Sequence, residues 1–168
     1  MNPRLRTASI AAAVVVIDRV TKVYIRSSFT TWEVTPVISG FFNIVHTENP
    51  GAAFGMFADS PSQWSSMLLV AVSLVVIAII GVMLWRPRPA PVPGVTLVSV
   101  GLALVFGGAL GNAWDRLLSG TVTDFLQFFF GSYEFPSFNA ADSAITVGAA
   151  LLLVDLWRTR KQHHTEHI

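Results

Sequence analysis

The sequence contains no cysteine, which excludes disulfide bonds, thiolate metal sites and cysteine nucleophiles. Charged residues are also scarce, at 12% of the chain, whereas soluble domains carry about 25%. Apolar residues make up 52%, and the mean hydropathy is +0.58. This balance predicts an integral membrane protein, and 168 residues are too few for several domains. We therefore expect a single membrane-embedded domain over residues 1–168.

Histidine is rare as well, and none of the four has the spacing of a catalytic zinc site within an apolar segment. They are His46 and a group near the C-terminus, His163, His164 and His167. The sequence therefore predicts neither a metal nor another cofactor, and we expect His46 to be an ordinary loop residue. The net charge is +1, and we expect no nucleic-acid partner.

Four apolar segments lie at about residues 8–25, 64–85, 94–114 and 139–157. Each is near the roughly 20 residues that a helix needs to cross a bilayer core. They predict an all-α integral membrane protein with four transmembrane helices. The first segment also resembles a signal peptide, because Arg4 and Arg6 precede a short apolar run. No small-x-small cleavage site clearly follows it and a polar stretch comes next, so we interpret it as a retained helix.

Residues that favour helix ends support these boundaries. Ser60, followed by Pro61, is the predicted N-cap of the second helix, and Asn139 is the predicted N-cap of the fourth. Four prolines between positions 87 and 93 interrupt the chain between the second and third spans.

Positively charged residues fall mainly on one side of the four predicted spans. They are Arg4, Arg6, Arg86, Arg88, Arg158, Arg160 and Lys161. The positive-inside rule therefore places both termini in the cytoplasm. In that orientation the two connections on the other side, with Asp124 and Asp142, face outward.

The first outward connection, about residues 27–63, has the composition of strands rather than helices. Residues 29–34 and 41–45 are rich in β-branched and aromatic side chains, and Pro36, Ser39 and Gly40 separate them. We expect a small β-rich platform between the first two helices.

Two aspartates, Asp124 and Asp142, lie where apolar segments meet water. Carboxylates at membrane depth are costly to hold and usually mark a functional site. Two that converge cannot easily both ionise, so one becomes an acid and the other a base. This pair predicts water-mediated peptide cleavage. Two structural explanations stay open: Asp142 could form a capping pair with Asn139, and Asp124 could bond to its own loop backbone.

Five clusters of polar and glycine residues interrupt the apolar chain, and together they carry a resemblance. They cover residues 18–22, 49–55, 107–116, 120–125 and 138–143. In this order and spacing, on a chain of four predicted spans, they resemble the bacterial lipoprotein signal peptidases, the signal peptidase II family. The resemblance extends from Asp18 to the end of the fourth span.

The resemblance implies an aspartyl endopeptidase of the bacterial cytoplasmic (inner) membrane, with its site on the extracytoplasmic side. Such an enzyme removes the signal peptide from a diacylglyceryl-modified prolipoprotein by cutting just before the lipidated cysteine. The catalytic pair corresponds to Asp124 and Asp142. The implied substrate-binding residues are Asn49, Gly51, Asn112, Arg116 and Asn139. Glu48 and Pro50 flank Asn49 in an unusual way for the family. The implied partners are lipid-modified prolipoproteins and membrane phospholipid, and nothing in the sequence requires more than a monomer.

Four other residues in the clusters are expected to give structural support, namely Asp18, Lys22, Gly108 and Asp115. Asp18 and Lys22 are four residues apart, so they share a helix face and can form an ion pair. Gly108 lies within a small-x-x-x-small pattern that lets helices approach closely. Arg116, next to Asp115, either binds a substrate carbonyl or lipid phosphate through its planar fork or extends to the membrane interface. The aromatic residues 128–130 either enter lipid or pack at the interface, and residues 128–134 match no motif.

Two other classes of function fit parts of the sequence. A proton-coupled transporter would use membrane carboxylates, but its site should lie near the bilayer midplane between internal repeats, and no repeat is visible. A scaffold protein would account for the spans but not for the five polar clusters. A serine or metal protease is disfavoured, because neither a Gly-x-Ser-x-Gly motif nor a metal-ligand set occurs.

Overall fold

The computed structural model describes residues 2–51, 63–85 and 96–165. In these residues the chain forms four helices, namely α1 (Pro3–Ser28), α2 (Gln63–Trp85), α3 (Leu97–Ser119) and α4 (Ala140–Thr165). Four strands accompany them: β1 (Val34–Ile38), β2 (Phe42–Asn49), β3 (Val122–Phe130) and β4 (Tyr133–Phe138). Strands β1 and β2 follow α1, and strands β3 and β4 connect α3 to α4.

Three of the helices in the described part are long and apolar enough to cross a membrane. Their apolar windows are Met67–Leu84, Leu97–Ser119 and Ala140–Arg160. Helix α1 has 26 residues, so it is long enough as well, but Asp18, Arg19 and Lys22 interrupt its apolar run. All four helices therefore have the length that the four-span prediction requires, but only α2, α3 and α4 also have the apolar composition.

The helix ends follow the local sequence. Asn2 caps α1, because its side-chain Oδ1 accepts a hydrogen bond from the Arg4 backbone N–H at 3.0 Å. Helix α3 begins with a capping box between Thr96 and Ser99 and ends at Gly120, whose φ of 75° suits glycine. It runs to Ser119, beyond the predicted end at 114. The predicted cap at Ser60 and the prolines at 87–93 lie outside the described residues.

One antiparallel sheet contains all four strands, in the order β1-β2-β3-β4. The predicted platform between the first two helices supplies only β1 and β2. The other half of the sheet was missed because the first four residues of β3, Val122 to Phe125, are all buried. Such a strand lacks the alternation of polar and apolar residues by which strands are recognised. Gly131, with φ of 65°, lies in the turn that joins β3 to β4.

The first predicted strand was wrong in its position. Residues 29–33 form a bend and turn, and Glu33 accepts hydrogen bonds from the N–H and the hydroxyl group of Thr30. Strand β1 begins only at Val34 and includes Pro36, which the sequence suggested as a break. Proline is tolerated there because β1 is the edge strand of the sheet.

Glycines let α3 lie directly against its two neighbours. A Cβ at Gly108 would be 2.5 Å from the carbonyl oxygen of Ala141 in α4. A Cβ at Gly107 would be 2.7 Å from the carbonyl oxygen of Ala11 in α1. Both distances are too short for any larger residue, so these positions bring the backbones of three helices together.

Candidate active site

The two predicted catalytic aspartates lie in one largely buried polar cluster, formed by the C-terminal halves of α1 and α3 and the starts of β3 and α4. Two asparagine amides connect them. Asn139 Nδ2 donates to Asp124 Oδ1 at 2.7 Å, and Asn112 Nδ2 donates to Asp142 Oδ1 at 2.7 Å. Asn139 Nδ2 also donates to Asn112 Oδ1 at 3.2 Å. The side chains of all four residues therefore belong to one hydrogen-bonded network.

Asp124 is almost fully buried on β3, with 3% of its surface exposed. Its second carboxylate oxygen, Oδ2, accepts from Asn49 Nδ2 at 3.0 Å. Burial raises the pKa of Asp124 to about 7, and the nearby charge of Asp142 adds to the increase. Asp124 can therefore hold a proton near neutral pH, which suits a general acid.

Asp142 occupies the first turn of α4, where it takes part in a capping box. Its Oδ2 accepts from the Asn139 backbone N–H at 3.2 Å, and Asn139 Oδ1 accepts from the Asp142 backbone N–H at 3.0 Å. The structural explanation of Asp142 as a capping residue is thus correct. It is compatible with chemistry, because Oδ1 faces Asn112 and the start of a helix favours a negative charge.

A buried lysine lies behind the two asparagines. Lys22 Nζ donates to Asp18 Oδ2 at 2.8 Å, as the sequence predicted, and to Asn112 Oδ1 at 3.0 Å. It also forms an ion pair with Asp115 Oδ2 at 2.8 Å. Because an ammonium group can only donate, it requires the amide of Asn112 to present its oxygen to Lys22 and its NH₂ group to Asp142.

Asp18 links this ion pair to α4. Its Oδ1 accepts from the Ala141 backbone N–H at 3.0 Å, next to the capping box of Asp142. The carboxylate fits because Gly111 faces it: a Cβ there would be 2.6 Å from Asp18 Oδ2. Gly111 therefore makes space for a polar group as well as for helix packing.

A second polar cluster, made by Glu48, fixes the strands that carry Asn49 and Asp124. Glu48 accepts hydrogen bonds from the hydroxyl groups of Thr121 and Thr123, both at 2.7 Å. Partial burial acts to raise the pKa of Glu48, but these two hydrogen bonds, a third from His46 and the charge of Arg26 together outweigh it, and the pKa is lowered. Arg26 Nε donates to Thr123 Oγ1 at 2.6 Å. The unusual residue beside Asn49 thus joins β2 to β3 immediately before Asp124.

His46 is not the loop residue that the sequence suggested. It lies buried in β2, with one ring nitrogen 2.9 Å from the carbonyl oxygen of Phe29 and the other 3.0 Å from Glu48 Oε1. This side chain therefore connects the end of α1 to the Glu48 cluster.

Comparison with known proteins identifies the family of the chain. The family model for signal peptidase (SPase) II matches residues 10–158. The chain belongs to the signal peptidase II family. It is therefore a protease of the aspartic type, and the resemblance read from the five polar clusters is confirmed, as is the predicted class of enzyme. Members of this family are bacterial membrane enzymes, which agrees with the apolar helices.

Individual relatives cover nearly the whole chain. The lipoprotein signal peptidase of Solibacter usitatus (strain Ellin6076) is 40% identical over 159 residues, which are 95% of this chain and 94% of the relative. That of Pseudomonas paraeruginosa (strain DSM 24068 / PA7) is 40% identical over 165 residues, covering 98% and 95%. A solved structure, described as a bacterial membrane enzyme determined by the in meso method at 2.3 Å resolution, superposes with a TM-score of 0.79. It is 29% identical, and the match covers 94% of this chain and 90% of that one.

Measured against the site expected for a signal peptidase II, the predicted residues fall into three groups. Asn49, Asn112 and Asn139 bond directly to the aspartates. Gly51, with φ of 122°, is one step removed: its N–H donates to Asn49 Oδ1 at 2.9 Å and so directs the Asn49 NH₂ group to Asp124. The residues predicted as structural support are farther from the two aspartates, and they are Asp18, Lys22, Gly108 and Asp115.

Arg116 is half-buried in the last turns of α3, within reach of the charges of Asp142 and Asp124. Its Nε is buried and has no hydrogen-bond partner within the part of the chain that the structure describes. An unpaired buried N–H is costly, so this group is suited to an acceptor that arrives with a ligand.

Sequence reasoning missed the residues that act at long range. Arg26, Glu48 and Thr123 received no role, although together they join α1, β2 and β3. Asp115, predicted as structural support, forms ion pairs with Lys22, Arg19 and Arg26, and the sequence identified none of these three partners. One usable signal existed: arginines at 19 and 26 and a lysine at 22 give α1 a basic face, which needs acidic partners elsewhere in the chain.

Proposed function

We propose that this protein removes the signal peptide from diacylglyceryl-modified prolipoproteins by cutting just before the lipidated cysteine. The observation that carries the proposal is the placement of Asp124 and Asp142 in one largely buried network, in which the amides of Asn112 and Asn139 link them. Two carboxylates in this setting can divide the roles of acid and base.

In the proposed reaction a water molecule between the two carboxylates attacks the scissile carbonyl carbon. Asp142, in its ionised form, takes a proton from the water, while Asp124 donates a hydrogen bond to the carbonyl oxygen as negative charge develops. When the tetrahedral intermediate collapses, the C–N bond breaks and Asp142 passes its proton to the leaving amine. Asp124 is suited to the role of the acid because its pKa is raised to about 7, so that it holds a proton near neutral pH.

Neighbouring groups would then position the peptide. Arg116 offers its unpaired Nε to a backbone carbonyl of the substrate. Asn49, Asn112 and Asn139 hold the carboxylates and leave little freedom for either to rotate, which supports catalysis by pre-organisation.

The same proposal includes four transmembrane helices, cytoplasmic termini and a site on the extracytoplasmic side of the cytoplasmic membrane. The burial pattern of helix α1 supports this, because it is the reverse of the pattern in a helix of a water-soluble protein. Asp18 and Lys22 are completely buried, whereas Val16 and Val20 are 59% and 63% exposed. A helix with its charges inside and valines outside is suited to lipid.

We expect cleavage by the purified protein to depend on the lipid. A diacylglyceryl-modified prolipoprotein should be cut at least roughly 100-fold faster, measured as kcat/KM, than the same chain without lipid. The reason is that a buried methylene contributes about 0.8 kcal/mol, and four of them exceed that factor. Equal rates on both substrates would contradict lipid recognition. If neither substrate were cut but the protein carried protons across liposomes, the transporter alternative would replace the peptidase.

We also expect kcat/KM to fall as the pH rises above about 7, because Asp124 then loses the proton that it needs as an acid. Asn49→Ala should move this decline to higher pH. The Asn49 amide donates to the Asp124 carboxylate and favours its ionised form, so its removal raises the pKa further. The position of the decline is the measurement, whatever the maximal rate of the variant. A decline that stays in place or moves to lower pH would contradict Asp124 as the acid.

A further inference from the structure

Five phenylalanines form an apolar groove on the sheet, with a volume of about 300 Å³. We call it the phenylalanine groove, and its residues are Phe41, Phe128, Phe130, Phe135 and Phe138. Their rings form a continuous series, with centroid distances of 5.5 Å for Phe41–Phe128, 5.9 Å for Phe128–Phe138 and 5.7 Å for Phe135–Phe138. The groove therefore reaches from the β1–β2 turn across β3 to β4.

The groove lies on the same face of the sheet as Asp124. Side chains two residues apart in a strand point to the same face, so Asp124, Phe128 and Phe130 are aligned along β3. The pairing of β3 is irregular at one point with each neighbouring strand. There β2 and β4 each advance by three residues while β3 advances by two, so the extra residue lies on β2 or β4 and the alternation along β3 is unbroken. Phe128 is four steps along the strand from Asp124, which is roughly 13 Å.

A second strand connects the groove to the site. Phe138 pairs with Leu126 on the groove face, and the next residue, Asn139, donates to Asp124 at 2.7 Å. The groove thus begins beside the network of the two aspartates on β4 and runs away from it along β3. No break in the sheet separates the two.

The lining selects the chemistry of the occupant. Phenylalanine side chains offer no hydrogen-bond donor or acceptor, so a peptide backbone or a lipid headgroup would lose its hydrogen bonds with water and gain none. Phe130, Phe41 and Phe135 remain 59%, 41% and 40% exposed, which leaves apolar surface to be covered. A saturated hydrocarbon chain satisfies both conditions.

We propose that the phenylalanine groove binds an acyl chain of the lipid-modified substrate while the peptide bond lies at Asp124 and Asp142. This inference rests on the proposed function. The lipidated cysteine directly follows the bond to be cut, so its acyl chains begin a few bonds from the scissile carbonyl. The continuity of the groove with the site favours these chains over those of the surrounding bilayer, which have no reason to end beside the two aspartates.

The test uses two prolipoproteins with the same peptide, one carrying short and one carrying long acyl chains, in a single detergent. Each methylene that the groove shields should increase kcat/KM by roughly fourfold in the wild type. In Phe130→Ala and Phe135→Ala the ratio of long-chain to short-chain kcat/KM should fall by about tenfold or more, because several methylenes of the long chain are then no longer shielded from water. Both residues are partly exposed, so their removal leaves the fold intact.

Phe129→Ala is the matched control, because Phe129 lies next to Phe130 but points to the other face of β3. It should keep the wild-type ratio. An equal loss for both substrates in Phe130→Ala and Phe135→Ala would overturn the proposal, as would a wild-type enzyme that does not distinguish the two chain lengths.

A binding measurement separates this proposal from the proposed function. A lipopeptide with a photoreactive group at the end of one acyl chain is irradiated with the protein, and the labelled residues are mapped. Labelling of β3 and β4 within residues 128–138 supports the groove even if no bond is cut. Labelling confined to the exposed faces of α2, around Met67 and Val75, would overturn it. Failure of the proposed function alone would appear as labelling of the groove without cleavage of either substrate.

Discussion

Asp124→Asn and Asp142→Asn should each lower kcat for prolipoprotein cleavage by roughly 10⁴-fold, the upper end of what general acid–base catalysis contributes. An asparagine at position 142 cannot accept a proton from water, and one at position 124 cannot supply an acidic O–H. Both substitutions keep the size of the side chain, so substrate binding should change far less than kcat. The measurement is single-turnover cleavage in detergent, with KM determined separately.

The fold of these variants has to be checked, because each asparagine places an NH₂ group opposite an existing donor. Asp142 accepts from the Asn139 backbone and from Asn112, so one of those hydrogen bonds is lost, at about 1–3 kcal/mol. Asp155→Asn, elsewhere on α4, is the matched control and should keep full activity. Cleavage that survives in either dyad variant, with its thermal unfolding close to that of the wild type, would mean that the residue only caps a helix or completes a turn.

Lys22→Met should be the most destabilising of the single substitutions discussed here and should also remove activity. The Lys22 side chain is completely buried and serves Asp18, Asp115 and Asn112 at once. Removing one partner of a buried ion pair typically costs about 3–5 kcal/mol, because the remaining charge stays buried. The Asn112 amide would also lose the donor that fixes its orientation, so its oxygen could turn toward Asp142 and repel the carboxylate.

A comparison among variants isolates the two effects of Lys22. Arg19→Met should cost less than about 1 kcal/mol, because the Arg19 side chain is partly exposed and Asp115 keeps Lys22 and Arg26. The double variant Lys22→Met with Asp18→Asn should recover part of the stability, since a buried charge is removed, but not the activity. A Lys22→Met protein with wild-type unfolding and full cleavage would refute a role of this residue in positioning Asn112.

The sequence predicted those features that depend on burial or on short separations along the chain. The apolar segments could be located because transfer of charged groups into lipid is so costly that their absence is informative. The Asp18–Lys22 pair followed from helix geometry alone. The third contact of Lys22, to Asn112 on α3, could not be predicted in the same way, because it depends on how two distant helices pack.

The sequence named the residues of this hydrogen-bonded network but not the contacts between them, and their roles in catalysis stay a prediction. Asp124, Asp142 and the three asparagines were all named, because polar residues stand out in an apolar chain and match the signal peptidase II pattern. Their division into donors and acceptors required the structure. Strands β3 and β4 also required the structure. The buried start of β3 does not alternate between polar and apolar residues, and the aromatic residues after it fit lipid contact and interfacial packing equally well. The extent of the single domain remains a prediction.

The pairing of β2 with β3 sets the order in which the enzyme can become active during its own synthesis. Asn49 and Asp124 are 75 residues apart, and Asp18 and the Ala141 backbone are 123 residues apart. Contacts at such separations can form only after both partners have been synthesised, and closing the loop between them costs conformational entropy. Asp124 and Asp142 both bond to Asn139, so neither has its complete set of partners until the start of α4 has been synthesised and has packed against α1 and α3. A truncated or half-inserted chain carries no assembled site, so a premature product would not act as a stray protease.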